Sequence, residues 1–247
     1  MGGEIPGRFL TAQWRYLAML NYEVEPSLLR ARVPAGTELD RWDGRVFISV
    51  VGFMFQRTRV LGLPIPFHVN FEEVNLRFYV RRRGPEGWRR GVVFIKELVP
   101  RAAIAWVART IYNENYQALR MRHQIEHGDE LSVEYGWRTR GPAGRWNSVS
   151  VTARGEPQAM ASGTEAEFIA EHYWGYAAQQ GGGCMEYRVE HPPWRVWPAE
   201  RSQLVCDAAA LYGEEFADVL REEQAPSSAF LAEGSAIVVR RGVRIEP

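Results

Sequence analysis

Within residues 71–80, the side chains from Glu73 onward alternate between polar and apolar, and this two-residue period constrains the fold more than any other part of the sequence. In an extended strand, successive side chains point to opposite faces, so every second residue shares a face. One face would carry Val74, Leu76, Phe78 and Val80, and the other Glu73, Asn75, Arg77 and Tyr79. A helix would scatter both sets around its axis. The polar face is either the wet side of an antiparallel sheet or the wall of a polar pocket.

The rest of the chain continues the strand pattern, with few helices. β-Branched and aromatic runs bounded by turn residues predict strands at residues 46–55, 91–99, 119–125, 131–137, 148–153, 185–189 and 236–245. Helices are predicted at residues 26–31, 102–113 and 207–220, and from Thr164 to the glycines at 181–183. His172 would pack on the apolar stripe of that last helix, with Ile169 and Tyr176. No repeat or long linker divides the chain, so we expect one strand-rich α+β domain over residues 1–247.

Composition narrows the class of partner and the compartment. The 30 acidic residues balance the 30 basic ones, so no net field attracts nucleic acid or an anionic membrane. No apolar run approaches the roughly 20 residues of a membrane span. With only Cys184 and Cys206 and no signal peptide, the sequence predicts a cytoplasmic protein. Phosphate-loop and dinucleotide motifs are absent, so we expect no cofactor. The composition leaves open whether the protein forms a homo-oligomer.

A zinc site is one alternative. The run His123-Gln124-Ile125-Glu126-His127 matches the H-x-x-E-H string of one zinc-protease group. That chemistry requires a helix, so that both histidines share a face and reach one ion. Here the flanking residues alternate as in a strand, and Gly128 begins a turn. We therefore expect no metal at this run.

Lys96 is the only lysine, because the 30 lysines and arginines together include 29 arginines. A desolvated lysine amine forms a Schiff base with a carbonyl substrate, which arginine cannot do. Lys96 shares its predicted strand face with Val92, Phe94 and Leu98, whose apolar surroundings would lower the pKa of the amine. The alternative is a lysine at the end of its strand whose ammonium group reaches water.

Several segments together resemble a known family. They are TAQWRYL at residues 11–17, VPAGTELD at 33–40, EVNLRFYV at 73–80, GVVF at 91–94, Ala108-Arg109, Tyr116, HPPW at 191–194 and Gly242-Val243. The pattern resembles the YqjF-like family of uncharacterised bacterial proteins, which is grouped with acetoacetate decarboxylase-like proteins. The resemblance implies antiparallel sheets that form a partly open cone or barrel around a central cavity, with a few outer helices.

The resemblance also argues against the decarboxylase reaction. In acetoacetate decarboxylase, a cavity lysine forms the Schiff base and a neighbouring lysine lowers its pKa. Aligning residues 91–118 with that enzyme places this pair at Asn115 and Tyr116, and neither residue can do the chemistry. The cavity glutamate of the enzyme does have a counterpart here, Glu73.

Further positions follow from the same alignment. The cavity arginine of the decarboxylase falls near Trp14, with Arg15 beside it, and a second acidic position falls near Ile48 and Ser49. Glu97, rather than Lys96, is the neighbour expected to face the cavity.

The residues and the resemblance together predict a protein that binds a small carboxylate or carbonyl compound, or an enzyme of another reaction on this fold. Glu73 is the predicted acid or base. The predicted ligand-binding residues are Asn75, Arg77, Trp14, Arg15, Glu97, Asn115 and Tyr116. The alternatives are a Schiff-base lyase using Lys96 and a zinc hydrolase using His123, Glu126 and His127.

Overall fold

A computed structural model describes residues 6–66, 68–102, 115–141 and 144–246. The strands are β1 (Arg8–Val24), β2 (Glu38–Leu39), β3 (Val46–Val60), β4 (Leu63–Pro64), β5 (Phe71–Gly84), β6 (Gly87–Val99), β7 (Tyr116–Ala118), β8 (Arg120–His127), β9 (Leu131–Arg138), β10 (Trp146–Ala153), β11 (Gln158–Ala159), β12 (Trp174–Ala178), β13 (Cys184–Glu190), β14 (Arg195–Pro198), β15 (Arg201–Val205), β16 (Ser228–Arg240) and β17 (Val243–Ile245). The helices are α1 (Pro26–Leu29), α2 (Glu165–Ala170) and α3 (Ala208–Tyr212). The helix predicted at residues 102–113 lies, after its first residue, outside the described residues, as do Ala108 and Arg109. The described part is mostly sheet with few helices, as predicted.

The larger of the two sheets runs in the order β11-β14-β16-β1-β3-β5-β6-β12-β13-β17. Its neighbours pair antiparallel, except that β6 pairs parallel with β12 and with β7. β13 also pairs with β16, with Val189 opposite Val239. The hydrogen-bonded path that leaves β16 through β1, β3, β5, β6 and β12 therefore returns to β16 through β13. The smaller sheet has the order β15-β10-β9-β8.

β1 is the longest strand, and the sequence did not predict it. Tyr16 has a φ of 55°, and the register between β1 and β3 shifts between Arg15 and Ala18. Such a bulge adds a residue to one strand and breaks the two-residue period on which the prediction depends. The hydroxyl of Tyr135 in the smaller sheet donates to the carbonyl of Tyr16 over 2.8 Å, which ties the bulge to the second layer.

The helix predicted from Thr164 to the glycines at 181–183 is much shorter in the structure. Thr164 caps α2 by accepting a hydrogen bond from the amide of Glu167, as the capping box predicted. α2 ends at Ala170, and residues 174–178 form β12 instead. Gly175 suits this strand pairing, because a side chain at that position would collide with the ring of Tyr187 across the β12–β13 pair.

The other two predicted helices are present in part. α1 covers residues 26–29 and continues as a 3-10 turn over Arg30–Arg32. In the region predicted at 207–220, α3 covers only five residues, and a 3-10 turn follows at Glu214–Phe216. Gly213 ends α3 with a φ of 116°, which L-residues with side chains rarely adopt. None of the helices that the structure describes is long and apolar enough to cross a membrane.

The strands β1, β3 and β5 are buried on both faces, which gives the protein two apolar cores. On one face, Val50 and Leu76 pack against Tyr135, Trp137 and Val149 of the smaller sheet. The two sheets approach closely at Gly52, where an added Cβ would lie 2.5 Å from Cδ2 of Tyr135. The opposite face carries a second core, which includes Phe47, Val51, Phe53, Tyr79 and Phe168. Glu73, Asn75 and Arg77 of β5 are on that second face, so it is not the solvent-exposed side of a sheet.

Candidate functional site

A pocket with a volume of about 230 Å³ lies against the face of β5 that points away from the smaller sheet. Its walls are mainly apolar, and their aromatic residues include Phe9, Trp14, Phe53, Phe55, Phe71, Phe94, Tyr187 and Trp194. Ring contacts hold these walls together, because Trp14 meets Phe53 edge-on at 5.3 Å and Phe55 stacks on Phe71 at 4.7 Å. Pockets of this type hold apolar ligand surface and orient the ligand with a few polar groups.

Three polar groups of the pocket come from alternate positions of β5. Glu73, Asn75 and Arg77 line the wall, and their exposures are 2%, 2% and 8%. Alternation places all three on one face, and pairing of β5 with β3 and β6 on its two sides fixes that face. Burial of three polar side chains in a row costs free energy unless each finds a partner.

Glu73 is held by two hydrogen bonds. The amide of Asn75 donates to Oε1 over 3.1 Å, and the hydroxyl of Tyr116 donates to Oε2 over 3.2 Å. Burial raises the pKa of Glu73 to about 7, although these two hydrogen bonds and the charge of Arg77 act to lower it. The carboxyl group therefore exchanges a proton near neutral pH, as a general acid or base must.

Arg77 is a buried cation without a carboxylate partner among the described residues. Its Nε donates to the hydroxyl of Tyr79 over 3.4 Å, and its Nη2 donates to the carbonyl of Ile169 over 3.3 Å. The Tyr79 hydroxyl lies 2.6 Å from Oγ of Ser49. Hydrogen bonds then continue away from the pocket through Ser49, Asn21, Ser228 and Glu165. This row of hydrogen bonds fixes the guanidinium group of Arg77. Its Nη1 makes no hydrogen bond within the described part of the protein.

Glu97 joins Glu73 in the pocket wall, and Lys96 does not. A bulge in β6 causes this, because Leu76 pairs with Lys96 whereas Arg77 pairs with Phe94, which leaves one extra residue between them. Val92 and Phe94 therefore share the pocket face with Glu97. The prediction that Lys96 shares their face is wrong.

The amine of Lys96 donates instead to the carbonyl of Leu211. Burial lowers the pKa of Lys96, and the charge of Arg32 lowers it further. A carbonyl ligand bound in the pocket would not meet this amine, so the structure does not support a Schiff-base lyase using Lys96.

The remaining predicted ligand-binding residues divide between the pocket and other places. Trp14 and Tyr116 line the pocket. The indole Nε1 of Trp14 is buried without a hydrogen-bond partner among the residues described. Asn115 does not line the pocket, and its amide donates to the carbonyl of Ile95 over 2.8 Å. Arg15 also lies away from the pocket and donates to the carbonyl of Gly234 over 3.3 Å.

The predicted zinc residues lie on β8, in the smaller sheet. Four strand residues separate the Cα atoms of His123 and His127 by roughly 13 Å, so the two rings cannot share one ion. His123 contacts the carboxylate of Glu72 at 3.2 Å, and His127 contacts the hydroxyl of Tyr16 at 3.4 Å. No group of three metal-ligating side chains occurs among the described residues. The geometry of β8 therefore does not support the zinc hydrolase alternative.

The sequence missed one polar pair beside the pocket, His172 and Asp40. His172 follows α2, is 7% exposed and contributes to the pocket wall. Its Nε2 lies 3.3 Å from Oδ2 of Asp40, which also accepts a hydrogen bond from Arg90 over 2.7 Å. The prediction of a packed histidine was right about burial. The sequence carries no signal that would pair it with an aspartate 132 positions away.

Solved structures define the fold to which this arrangement belongs. The enduracididine biosynthesis enzyme MppR complexed with pyruvate is similar with a TM-score of 0.68 at 14% identity, covering 98% of this chain and 91% of that one. Acetoacetate decarboxylase from Legionella pneumophila is similar with a TM-score of 0.65 at 14% identity, covering 99% and 92% of the two chains. The protein therefore has an acetoacetate decarboxylase-like fold, as the resemblance implied.

The chain belongs to the DUF2071 family, described as uncharacterized conserved proteins, whose profile matches residues 11–236. The uncharacterized protein YqjF of Bacillus subtilis (strain 168) is 40% identical over 75 residues, which are 30% of this chain and 31% of that protein. The resemblance to the YqjF-like family is confirmed.

Proposed function

We propose that this protein binds a small carboxylate or carbonyl compound in the pocket beside β5. On this proposal the larger sheet is a partly open cone, one domain over residues 1–247, and the pocket is its central cavity. The return of the β-pairing from β13 to β16 supports a sheet that curves around the pocket. The enzyme MppR, whose fold is similar, is described in complex with pyruvate, which is a compound of this class.

Arg77 is the observation that carries the proposal. An arginine side chain buried in an aromatic wall is stable only when hydrogen bonds and opposite charge compensate its desolvation. Among the described residues, Arg77 has hydrogen-bond partners but no carboxylate within ion-pair distance, so a ligand carboxylate would complete the site. Arginine is suited to this role, because its charge-assisted bonds to a carboxylate are about twice as strong as neutral hydrogen bonds.

Glu73, which accepts a hydrogen bond from Tyr116, supplies proton chemistry on the same wall. Because burial raises the pKa of Glu73 to about 7, a protonated carboxyl group is available to donate to a ligand carbonyl oxygen. The ionised form is equally available to accept a proton. The protein would be a binder, or an enzyme that moves a proton on its ligand. A Schiff-base decarboxylation is not part of the proposal, because the position expected for the lysine pair holds Asn115 and Tyr116.

We also propose a bacterial, cytoplasmic setting. Two observations support it: Cys184 and Cys206 are both free thiols, as expected in a reducing compartment, and the family resemblance is to bacterial proteins. Refolding yields with and without a reductant would test this, because a need for oxidising conditions would contradict it.

Calorimetric titration with phenylpyruvate and with pyruvate tests the binding site. Phenylpyruvate offers an apolar ring to the aromatic walls, so we expect it to bind more tightly than pyruvate. Arg77→Met removes the cation and keeps an apolar chain of similar length. We expect it to weaken phenylpyruvate binding about tenfold or more, since hydrogen bonds to a charged group contribute roughly 1.5–3 kcal/mol.

Arg15→Met is the matched control, because Arg15 lies on β1 outside the pocket. It removes the same charge from the same protein and should leave binding within about twofold. Equal effects of the two substitutions would refute the site, as would undiminished binding by the Arg77 variant.

A further inference from the structure

The pocket is charged at one end and apolar at the other. Among the described residues, its carboxylate and guanidinium groups belong to Glu73, Arg77 and Glu97. Glu97 on β6 pairs with Asn75 on β5, so all three lie on or beside the short stretch of β5 from Glu73 to Arg77. Phe71 is six positions before Arg77 on the same strand, which is roughly 20 Å of strand. A ligand carboxylate on Arg77 is therefore far from the Phe71 end.

Beyond Phe71, the pocket lining continues on β3 toward the hairpin that joins β3 to β4. Thr58 and Val60 of β3 line the pocket there, together with His68, whose Nδ1 contacts a backbone carbonyl oxygen at 2.7 Å. Ile65, just after β4, also lines the pocket and is 37% exposed, more than any other described residue of the lining. In the described part of the chain, no carboxylate or guanidinium group lines this end. The pocket therefore opens to solvent beside the hairpin through an uncharged wall.

The Arg77 end of the pocket is closed by buried residues. Nη2 of Arg77 donates to the carbonyl of Ile169, and the next residue, Ala170, is buried and lines the pocket. Val92 of β6, which also lines the pocket, is buried and pairs with Tyr79, two positions beyond Arg77. A ligand whose carboxylate is on Arg77 therefore extends toward the hairpin.

We propose that the ligand is a carboxylic acid with an extended apolar tail, of the size of octanoate, that reaches from Arg77 to the hairpin. Its carboxylate binds Arg77, and its tail lies along Phe55 and Phe71 and ends near Val60 and Ile65. Burial of the tail provides much of the affinity, because apolar surface leaves water for an apolar wall. This inference rests on the proposed function and names the ligand class of the same pocket.

A series of acids measures how far the tail is buried. Calorimetric titration with butanoate, hexanoate and octanoate should show binding that tightens about tenfold for each added pair of methylene groups, close to the gain from burying them. Arg77→Met should weaken octanoate binding about tenfold or more, because the carboxylate loses its charged partner. 1-Octanol keeps the tail and lacks the carboxylate, so it should bind equally to the wild type and to Arg77→Met.

The series separates this inference from the proposed function. If the three acids bind with similar affinity and all depend on Arg77, carboxylate binding stands and the extended tail is wrong. If no acid binds, or if Arg77→Met binds the acids as tightly as the wild type does, the proposed function fails and this inference with it.

Val60→Trp tests where the tail ends. The larger side chain would fill the outer end of the pocket, so octanoate binding should weaken about tenfold, whereas butanoate does not reach Val60 and should bind within about twofold of wild type. Leu63→Trp is the matched control, because Leu63 pairs with Val60 across the hairpin, is 71% exposed and lies outside the pocket. It should leave the binding of both acids unchanged. Equal octanoate affinity in the wild type and in Val60→Trp would overturn the placement of the tail.

Nuclear Overhauser contacts in the wild-type protein cover the case in which Val60→Trp does not fold. The terminal methyl group of bound octanoate should show contacts with the side chain of Ile65, at the open end of the pocket. Contacts of that methyl group with Val92 instead, at the Arg77 end, would overturn the proposal.

Discussion

Replacing Glu73 by glutamine should change how the stability of the protein depends on pH. The pKa of Glu73 is about 7 in the folded protein, against 4.5 for an exposed glutamate. Between these two values the folded state binds more protons than the unfolded state. The free energy of unfolding must therefore fall as the pH rises through this window, and level off above it.

The size of the effect follows from the same two pKa values. Each pH unit between 4.5 and about 7 contributes roughly 1.4 kcal/mol, so ionisation of Glu73 costs about 3 kcal/mol by pH 8. Glu73→Gln has no proton to lose, and its amide oxygen can still accept from Tyr116. We expect the wild type to lose about 3 kcal/mol relative to this variant between pH 4.5 and pH 8.

Urea denaturation at a series of pH values, followed by tryptophan fluorescence, measures this difference. Glu86→Gln is the control, because a hydrogen bond from Arg89 lowers the pKa of Glu86 to about 2 and places its titration below the window. The free energy of unfolding of that variant should change with pH in the same way as that of the wild type from pH 5 to pH 8. The free energies of unfolding of the wild type and of Glu73→Gln could instead change with pH in parallel over the window. Burial would then not destabilise the ionised carboxyl group of Glu73, and the assignment of its proton chemistry would be wrong.

Three further outcomes test the fold and the site. Borohydride treatment with phenylpyruvate should leave no covalent adduct on Lys96 by intact mass, since its amine lies outside the pocket; an adduct that disappears in Lys96→Arg would contradict this placement. Gly52→Ala should destabilise the protein by about 1–3 kcal/mol in urea, because the added methyl group overpacks the contact with Tyr135. Thr164→Ala should cost about 1 kcal/mol in the same assay, through loss of the hydrogen bond from the Glu167 amide, and a loss below 0.3 kcal/mol would show that this cap does not stabilise α2.

Local periodicity was enough to predict the strands that run straight. The alternation of residues 71–80 gave the two faces of β5 correctly, because β5 has no bulge over that stretch and is paired on both sides. The polar face of β5 could be assigned to the pocket only from the structure. The same residues would also suit a solvent-exposed face of the sheet. Whether they face solvent or a pocket depends on which elements pack against them.

The errors fall where the backbone departs from regular geometry or where distant residues decide. The bulges at Tyr16 in β1 and at Ile95 in β6 each shift the two-residue period, which hid β1 and exchanged the faces of Lys96 and Glu97. The pairing of His172 with Asp40 depends on tertiary contact alone. A sequence pattern reports only on residues that are close along the chain, and His172 and Asp40 are far apart in the sequence.

The return of the β-pairing to β16 has a consequence for how the chain folds. Arg15 of β1 contacts Gly234 of β16 across a separation of 219 residues. Contacts of such sequence separation form slowly, because a long loop must close before they add any stability. During synthesis, β1 would leave the ribosome well before its partner β16 and present an unpaired edge in the meantime. Such an edge is an aggregation hazard. The yield of folded protein should therefore depend on the time that passes between the synthesis of β1 and the synthesis of β16.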